Sequence, residues 1–586
     1  MIGTAWHSRP KKTGKPDLST PNTQSSLLQI QIIKTLSVQT LLAVILGLIV
    51  SVVANIFIEG ARYFLSLQSK FNTLTVPIGG ADINLLPIVA MLMAAILIIT
   101  IRKTLGVTKW SGPADSIYAL HQQRIGVDVR IGIGSTLAAF ISASGGASVG
   151  QYGPLVHFGA TLATILSRIR GLQISNDVLL ACGVAAAISA GFNAPIAGIV
   201  FAHEALLRRF SISAVAPISV TAIVAAASNQ HFGFANLAFE VPSSNLELIE
   251  VVPFLILFAP VCSAVGIAYM VSIQYFTQLA ASCKYSFTTM IFSAAIVVGS
   301  IGIFLPDVLG LGSLQINQMV NGQYTLPFLS LLLLSKILLT SACISFGFFG
   351  GVFGPALFVG ATLGGIFSSL LIASGLSADY GSIITFATLA AVGSSVIGAP
   401  LSVVLIVIEL TGSYDYGLMA LLSVSLCCTL TYRFYGVSYF DRQLSNRGID
   451  LTRGREYITM TQIFVGELEP SKFLTFPRGT KSTDIFSSMQ EHHITEAYII
   501  NEDRTLHGKL YLQNLISNQD DFENNLDLAP LKLDTSNSLA EALEIATEFV
   551  GESIPILDGK QFKGAISEGD LFKKVLEIEE ELRSQD

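Results

Sequence analysis

A short pattern occurs twice in this chain, and the duplication limits what the chain can fold into. Residues 150–162 read GQYGPLVHFGATL, and residues 351–363 read GVFGPALFVGATL, with Gly, Gly-Pro and Gly-Ala-Thr-Leu at identical spacing. Each copy places glycines and a proline before an apolar helical run, and proline is favoured at the first helical position. The free N–H groups and positive dipole of such a helix start bind an anion without a cationic side chain. In a membrane protein, two such starts predict an anion site at the interface of two repeats.

A second duplicated feature extends the repeat. An Ala-Pro dipeptide lies nine residues before Glu204, and another lies nine residues before Glu409. Because the two glutamates hold matching positions, we expect them to share a structural role. Lys336 lies inside an apolar run, where an ionisable residue is a functional candidate by default. We expect its side chain to snorkel toward water or to pair.

The composition indicates a membrane protein with a soluble part. The 586 residues are 51% hydrophobic and only 13% charged, whereas soluble domains carry about 25% charged residues. The net charge of −7 is not informative about partners, because the charges are unevenly spread. The first apolar run lies behind a polar, basic tail, so we predict no cleavable signal peptide. No cysteine shows metal-ligand spacing. We therefore predict no metal and no required cofactor, and interpret the cysteines as packing residues, namely Cys182, Cys262, Cys283, Cys343, Cys427 and Cys428.

Between residues 36 and about 437 the chain is apolar in blocks of unequal length. Leu36–Ile58 and Val251–Ser272 are long enough to span a bilayer, which takes about 20 residues. Other blocks are shorter and are interrupted by Gly, Pro, Ser and Asn. Broken helices at membrane depth are tolerated only where protein or a cavity surrounds them. We therefore predict an all-α polytopic membrane domain with short buried helices, among them Pro154–Leu166, Val178–Ala190, Pro195–Phe201 and Ser382–Val396.

The two ends of the chain differ from this apolar region. The basic residues of 1–35 predict a cytoplasmic tail by the positive-inside rule, with no fixed structure. Residues 438–455 form a polar exit, and residues 456–586 predict a soluble α/β domain. That domain contains two units of similar pattern, each with a helix, two strands and a second helix. The predicted elements are helices at Ser482–Gln490, from Gln513, Ser538–Glu548 and Asp570–Glu580, and strands at Glu496–Asn501, Gly508–Tyr511, Ser553–Leu557 and Gly564–Ile566.

These motifs resemble those of the CLC family of chloride channels and chloride/proton antiporters, followed by a tandem pair of CBS domains. Gly351-Val-Phe-Gly-Pro355 matches the family's GxFxP motif, and GQYGP at 150–154 takes the place of G(K/R)EGP. Lys109-Trp-Ser-Gly-Pro113 is a degraded form of GSGxP, and Glu409-Leu-Thr-Gly412 is similar to a further family stretch. The resemblance implies an inverted-repeat membrane domain at 36–445, with repeats at about 36–230 and 250–437, and a cytoplasmic CBS pair at 456–586.

The resemblance also implies an assembly, a location and a set of ion contacts. It implies a homodimer with one chloride pore per subunit, in a bacterial cell (inner) membrane with both termini cytoplasmic. It also implies no enzymatic activity and no nucleic-acid partner. Helix starts at 112–114, 151–154 and 352–355 would converge on the anions. The implied chloride contacts are the hydroxyl of Ser111, the backbone N–H groups of Gln151, Tyr152, Gly153, Val352, Phe353 and Gly354, and an aromatic residue, either Tyr439 or Phe440.

Departures from the family pattern decide the expected mechanism. The gating glutamate of the family falls at Tyr152, and the inner proton glutamate falls at Ala205. Tyrosine has a pKa of about 10 and stays neutral, and alanine carries no proton. We therefore expect a passive chloride channel in which Tyr152 is a steric and hydrogen-bonding gate. A chloride/proton antiporter with an unusual proton path is the first alternative, although His157 and His203 are interpreted as helix-packing residues. A non-transporting, CBS-based membrane sensor is the second.

The α/β domain carries one candidate ligand site. Ser567 and Asp570 fit the Ser/Thr-x-x-Asp pattern that binds nucleotide ribose in some CBS pairs, whereas the first unit has Tyr511 and Asn514 there. We expect at most one adenine nucleotide per subunit, and a purely structural, dimerising role is the alternative.

Overall fold

The computed structural model describes residues 23–70, 74–78, 81–121, 126–169, 175–233, 247–450, 453–517 and 526–585. Its membrane part is helical apart from an antiparallel hairpin of β1 (Thr75–Ile78) and β2 (Ala81–Asn84). Within the described residues, nine helical segments are long and apolar enough to cross a membrane. The helices are α1 (Thr23–Lys70), α2 (Leu86–Leu105), α3 (Pro113–His121), α4 (Val129–Gly145), α5 (Tyr152–Ser167), α6 (Asn176–Phe192), α7 (Pro195–Phe201), α8 (Ile212–His231), α9 (Leu248–Ser282), α10 (Phe287–Phe304), α11 (Ser313–Val320), α12 (Leu326–Ser345), α13 (Phe353–Ala373), α14 (Gly381–Ile397), α15 (Pro400–Thr411), α16 (Tyr414–Tyr435) and α17 (Tyr439–Ser445).

The short broken helices predicted from the sequence are present. α5, α6 and α14 each match a predicted block to within two residues at either end, and α7 matches its block at both ends. Every residue of α14 is buried. Most residues of α5 and α6 are also buried, whereas α7 is only partly buried, with Ile196 55% exposed. Where protein surrounds these helices, their interrupted sequences do not expose backbone groups to lipid.

The first helix is longer than its apolar block. α1 begins at Thr23, inside the segment predicted to be an unstructured tail, and continues to Lys70. At 1.5 Å per residue its 48 residues exceed the thickness of a bilayer core. The prediction therefore placed the start of the helix too late, because it relied on hydropathy alone. The rest of the predicted tail, residues 1–22, lies outside the described residues.

Glu204 and Glu409, which hold matching positions in the two repeats, each cap a helix of the other repeat. Glu409 accepts hydrogen bonds from the N–H groups of Ile196 and Ala197 at the start of α7, at 3.0 and 2.8 Å. Glu204 accepts from the N–H groups of Leu401 and Ser402 at the start of α15, at 2.9 and 2.8 Å, and from the Ser402 hydroxyl. The exchange is symmetric, and it confirms the predicted shared structural role. Carboxylates are favoured at helix starts because they satisfy free N–H groups and oppose the dipole.

Glycines let the paired helices of each repeat cross closely. A Cβ on Gly360 of α13 would lie 2.8 Å from the Thr388 carbonyl oxygen of α14. At the matching place in the first repeat, a Cβ on Gly159 of α5 would collide with the Gly183 carbonyl of α6. These close crossings hold α5 and α13, the helices that begin within the duplicated pattern, in equivalent positions of the two repeats.

Lys336 is buried and does not snorkel, which corrects one of its two expected behaviours. Its Nζ donates to the carbonyl oxygens of Val308 at 3.0 Å and Gly310 at 3.2 Å, and lies 4.6 Å from the centre of the Phe358 ring. The loop before α11 supplies these carbonyls, so Lys336 fixes that loop against α13.

The C-terminal part confirms the predicted tandem α/β repeat and adds one strand to each unit. A linker helix, α18 (Gly454–Gln462), leads into two three-stranded sheets. In each sheet the first strand pairs parallel with the second, and the third pairs antiparallel. The strands Leu474–Pro477 and Leu533–Asp534 were not predicted, because four and two residues show no usable alternation. The units are β3 (Leu474–Pro477), α19 (Ser482–His492), β4 (Glu496–Ile500), β5 (Leu506–Tyr511) and α20 (Leu512–Ser517), then β6 (Leu533–Asp534), α21 (Leu539–Ala546), β7 (Ile554–Asp558), β8 (Gln561–Ile566) and α22 (Glu568–Gln585).

Candidate functional site

The two copies of the duplicated Gly-Pro pattern are joined by a pair of backbone hydrogen bonds. The N–H of Gly150 donates to the carbonyl of Gly351 at 2.7 Å, and the N–H of Gly351 donates to the carbonyl of Gly150 at 2.6 Å. α5 and α13 begin immediately after this antiparallel bridge. A Cβ on Gly153 would lie 3.0 Å from the Gly351 Cα and 3.4 Å from Pro113 at the start of α3. Three helix starts therefore converge at one place, which we call the junction.

The junction presents free backbone donors. The first N–H groups of a helix have no intrahelical acceptor. Within the described residues, no group outside the two helices accepts a hydrogen bond from the predicted donors of α5 and α13. Their N-caps adopt the right-handed helical conformation and provide no side-chain cap. Unfilled donors and two aligned dipoles are suited to an anion. The donors in question are Gln151, Tyr152, Gly153, Val352, Phe353 and Gly354.

Three aromatic rings close the junction. The Tyr152 ring is stacked on Phe192, with centroids 3.7 Å apart and planes 8° from parallel. Phe353 lies 5.7 Å from Tyr152 and 5.6 Å from Phe192. All three side chains are buried. We call Tyr152, Phe192 and Phe353 the aromatic cluster. Phe192 was not predicted, because it lies at the end of α6 with no local motif to mark it.

The start of α3 is already occupied by a carboxylate. Asp115 accepts from the N–H of Gly112 at 2.7 Å, and Arg447 donates to the same carboxylate at 2.6 Å. The backbone N–H of Ser111 donates to the Ser135 hydroxyl at 2.9 Å. α3 therefore reaches the junction with its Gly112 donor taken, unlike α5 and α13. A first-turn acid is a recognisable capping signal, and the sequence analysis did not use it.

Tyr439 and Phe440 point to different surroundings. Both are buried in the first turn of α17. The Tyr439 hydroxyl accepts from the Gln443 amide at 3.0 Å, whereas Phe440 lines a cavity together with Ala205. Of these two residues, the one beside this cavity is therefore Phe440, which has no hydroxyl.

A narrow cavity lies against the aromatic cluster, and two larger ones lie near α11 and α17. A cavity of about 530 Å³ is lined by Arg62, Leu311 and Ser313. Leu311 and Ser313 also line the narrow cavity, of about 40 Å³, that reaches Gln151, Tyr152 and Gly354. A cavity of about 600 Å³ lies against α17 and is lined by His203, Ala205, Arg208, Phe440 and Asp441. We call the first the α11 cavity and the last the α17 cavity.

Comparison with known proteins identifies the family. The model of the voltage gated chloride channel family matches residues 94–432, more than half of the chain. The chain belongs to this family. It is therefore a multi-pass membrane protein of a transporter family.

Individual relatives are distant. The chain is 28% identical over 306 residues to a putative chloride channel protein ClcB-like of Ralstonia nicotianae, covering 50% of this chain and 69% of that one. It is 26% identical over 368 residues to the H(+)/Cl(-) exchange transporter ClcA of Vibrio campbellii, covering 58% and 74%.

Solved structures show the same fold. A slow cyanobacterial Cl−/H+ antiporter gives a TM-score of 0.63 at 18% identity, covering 70% of this chain and 97% of that one. A eukaryotic CLC transporter gives 0.59 at 16% identity, covering 90% and 98%. The second coverage extends beyond the membrane part, which supports the predicted fold class for the α/β part as well.

The two histidines near the family's proton positions have different environments. His157 of α5 is fully buried, with Nδ1 2.7 Å from the Ser116 hydroxyl. His203 lies in a π-helical turn, Ala202–Leu207, beside Ala205. Its Nδ1 is 3.2 Å from the Arg209 carbonyl oxygen. Each ring has a buried Nε2 with no partner among the described residues.

The predicted nucleotide residues of this family member lie together but are already bonded. The Asp570 carboxylate accepts from the hydroxyls of Ser567, at 2.6 Å, and Ser471. These two donors lower the pKa of Asp570 below its ordinary value. Ser471 also accepts from the Ser567 N–H at 2.8 Å. Because Ser471 lies 99 residues from Asp570, nothing in the local pattern predicted this contact.

Asp570 borders a cavity of about 610 Å³ that has an acidic lining. Lys573 and Lys574 lie in its wall together with five carboxylates, those of Glu467, Glu469, Asp570, Glu577 and Glu581. This excess of negative charge disfavours a polyphosphate on this side of the Asp570 carboxylate.

Proposed function

We propose that this protein conducts chloride passively across a membrane, as a channel. The observation that carries the proposal is the aromatic cluster at the junction. Free N–H groups from α5 and α13 surround the place where the family carries its gating carboxylate, and a neutral phenol takes that place. The phenol does not exchange a proton near neutral pH, so anion passage there is not tied to proton transfer.

A residue of the α17 cavity supports the same mechanism. Ala205 lines the α17 cavity at the place where the resemblance puts the inner proton glutamate. Its neighbour Glu204 is held by three donors at the start of α15. A carboxylate bonded in this way serves to cap the helix and is poorly placed to carry protons. Neither of the family's two proton positions therefore holds a group that titrates near neutral pH.

The candidate chloride contacts follow from these positions. The proposed donors are the backbone N–H groups of Gln151, Tyr152 and Gly153 on α5 and their counterparts at 352–354 on α13. Ser111 is the proposed hydroxyl ligand. Phe440 is proposed to line the pore, in preference to Tyr439, because it borders the α17 cavity. Tyr152 is the proposed gate.

The deciding experiment is chloride efflux from proteoliposomes with simultaneous pH recording. We expect efflux down a chloride gradient without proton movement in the opposite direction. Uphill proton uptake sustained by a chloride gradient alone would show that the protein is an exchanger. The absence of any anion flux would favour a membrane sensor. A matched control is Tyr432→Phe, because Tyr432 is an exposed tyrosine of α16 far along the chain from the junction.

An exchanger is the second candidate, and a specific observation favours it. The Vibrio relative bears the name of an exchange transporter, and His157 and His203 each hold an unpartnered buried Nε2. Replacing both histidines by glutamine separates the candidates. An exchanger using them would lose proton coupling, whereas a channel has no coupling to lose.

We further propose that the α/β part is a cytoplasmic tandem CBS pair and that the protein is a homodimer in a bacterial inner membrane. The repeated three-stranded sheets support the CBS assignment. Calorimetry of the full chain with ATP, ADP and AMP tests the ligand. We expect at most one site per subunit, lost in Asp570→Ala. Two sites per subunit, or binding that Asp570→Ala leaves unchanged, would contradict the assignment.

A further inference from the structure

The acidic cavity of the α/β part is a cleft between two helices. One wall comes from α18, which leads out of the membrane part, and the other comes from α22, the last helix. Its volume of about 610 Å³ lies within the range of ligand pockets. Five carboxylates against two ammonium groups leave a formal charge of −3 in the lining. We call it the acidic cleft and define it by Gln462, Glu467, Glu469, Asp570, Glu577 and Glu581.

Most of this negative charge is not balanced by a cation of the fold. Glu467 and Glu469 lie between α18 and β3, are exposed, and make no side-chain hydrogen bond or ion pair with the described residues. Asp570 is bonded by serine hydroxyls. Lys574 pairs with Glu577 at 3.0 Å. A cleft lined by one sign of charge concentrates ligands of the opposite sign, so the acidic cleft favours a cationic ligand.

A buried amide in the same wall indicates what kind of cation fits. Gln462 Nε2, at the end of α18, is buried and has no acceptor among the described residues. An unsatisfied buried donor is costly. A metal ion supplies no acceptor, and within the described part of the chain no acids, histidines or cysteines are grouped to hold one. A peptide supplies backbone carbonyl oxygens as well as cationic side chains. The acidic cleft is therefore suited to a basic peptide.

The chain itself contains a segment of this chemistry before α1. Four of the seven residues at 9–15 are basic, and the first acidic residue of the chain is Asp17. Basic segments near a chain terminus are commonly interaction tails. We call residues 9–15 the basic segment; it lies outside the described residues, and its basic members are Arg9, Lys11, Lys12 and Lys15.

The basic segment precedes α1 at the face from which the α/β part leaves the membrane part. A Cβ on Gly47 of α1 would lie 2.7 Å from the Thr221 carbonyl oxygen of α8. Farther along both helices, Asn55 donates to Asn229 at 2.6 Å. The two helices therefore run in the same direction and begin at the same face. Arg208, shortly before α8, pairs with α17, and α17 is followed by α18. The start of α1 and the acidic cleft consequently lie toward one face of the membrane part.

We propose that the basic segment of this chain docks in the acidic cleft. Its cationic side chains pair with the unbalanced carboxylates, those of Glu467 and Glu469 above all, and one of its backbone carbonyls accepts from Gln462. Because α18 forms one wall, the docked segment links the start of the chain to the connection between the membrane part and the α/β part. This interaction goes beyond the proposed channel function and does not depend on it.

The first test is zero-length cross-linking of the full chain in lipid-free detergent. A carbodiimide joins a lysine amine directly to a carboxylate in contact with it, and mass spectrometry identifies the joined peptides. We expect links from Lys11, Lys12 or Lys15 to carboxylates of the acidic cleft at low salt. These links should disappear near 1 M salt, where the Debye length is about 3 Å. No such links, or links that persist at high salt, would overturn the proposal.

The second test reverses charges and follows hydrogen exchange of the full chain. Replacing both acids by Glu467→Lys and Glu469→Lys should speed exchange in α18 on the order of fivefold, as expected for the loss of exposed ion pairs. Adding Lys11→Glu and Lys12→Glu should restore the wild-type rate. The control Glu502→Lys, on the exposed turn between β4 and β5, should leave α18 unchanged. A failure of the second pair of changes to restore the rate would count against the docking.

Anionic lipid is the competing partner of a basic segment. We expect equal exchange in α18 for the full chain in nanodiscs of phosphatidylcholine and in nanodiscs of phosphatidylglycerol. Slower exchange only with phosphatidylglycerol would mean that the segment binds the membrane surface, and the proposal would be wrong. None of these measurements records ion flux, so their failure is distinguishable from a failure of the proposed function.

Discussion

Replacing Tyr152 by alanine should accelerate chloride flux, and the ring contacts that Tyr152 makes in the aromatic cluster set the expected size of the acceleration. In the proposed channel, chloride that reaches the helix starts of α5 and α13 meets the Tyr152 ring, so the ring has to move. That movement breaks the stack on Phe192 at 3.7 Å and the tilted contact with Phe353 at 5.7 Å. Aromatic pairs are worth about 0.5–1.5 kcal/mol each beyond their area. Two pairs give about 1–3 kcal/mol, which corresponds to about 5- to 150-fold in rate.

The assay is chloride efflux from liposomes for three variants at position 152, between acidic and alkaline pH. Tyr152→Ala should show the full acceleration. Tyr152→Phe keeps both ring contacts and loses only a hydroxyl, so the change should not exceed about 0.5–1.5 kcal/mol, the net value of one hydrogen bond. Tyr152→Glu restores a carboxylate that competes with chloride when ionised, so flux should rise as the pH falls.

A matched control separates gating from loss of stability. Phe258 and Phe367 form another stacked pair, with centroids 3.8 Å apart and planes 10° from parallel, away from the junction. Phe258→Ala should cost stability, as large-to-small core changes do by about 3–5 kcal/mol, without accelerating flux. If Tyr152→Ala leaves flux unchanged and Tyr152→Glu shows no pH dependence, position 152 does not face the anion path. The alignment of GQYGP with the family's gating motif would then be wrong.

Three further outcomes are expected. Glu204→Gln and Glu409→Gln should each lower the free energy of unfolding in detergent, by about 1.5–3 kcal/mol for each charged hydrogen bond that is lost. The effect should be larger for Glu204, which accepts from three donors, than for Glu409, which accepts from two. Equal effects would count against the capping assignment. Asp570→Asn should weaken hydrogen-exchange protection of α22 at neutral pH. Because the folded pKa of Asp570 is lowered, this difference should persist down to about pH 4 and then shrink as the pH falls through the folded pKa, and a difference that does not shrink under acid conditions would contradict it. Arg447→Gln should reduce chloride flux about fivefold, equivalent to about 1 kcal/mol, because it leaves the Asp115 carboxylate without its cation near the junction. Adding Asp115→Asn should restore the flux.

Local pattern and duplication were sufficient to predict the scaffold. The block Pro195–Phe201 was predicted with both ends correct, since an N-terminal proline marks the start. The matched positions of Glu204 and Glu409 predicted a shared role, and the reciprocal caps confirm it. These features depend on residues a few positions apart or on a repeat visible in the sequence.

The contacts that define the site depend on long-range packing and were not predicted. Phe192 stacks on Tyr152 across forty residues, and Ser471 bonds Asp570 across ninety-nine. Hydropathy also gave no signal that α1 starts at Thr23, because that first part of the helix lies outside its apolar block. A residue's neighbours in space follow from the whole fold, so a single sequence does not reveal which ring closes the junction.

The distribution of charge around the pathway explains how the protein can favour anions without a cationic side chain at the junction. Asp115 pairs with Arg447 and Asp441 pairs with Arg208, whereas Glu204 caps the start of α15. The helix starts of α5 and α13 keep their N–H groups free. What remains at the junction is therefore the positive end of two dipoles, and its field does not depend on any titratable group. In the proposed channel, selection for anions then comes from the backbone and control of passage comes from the packing of the Tyr152 ring, and we expect mutation to alter the two separately.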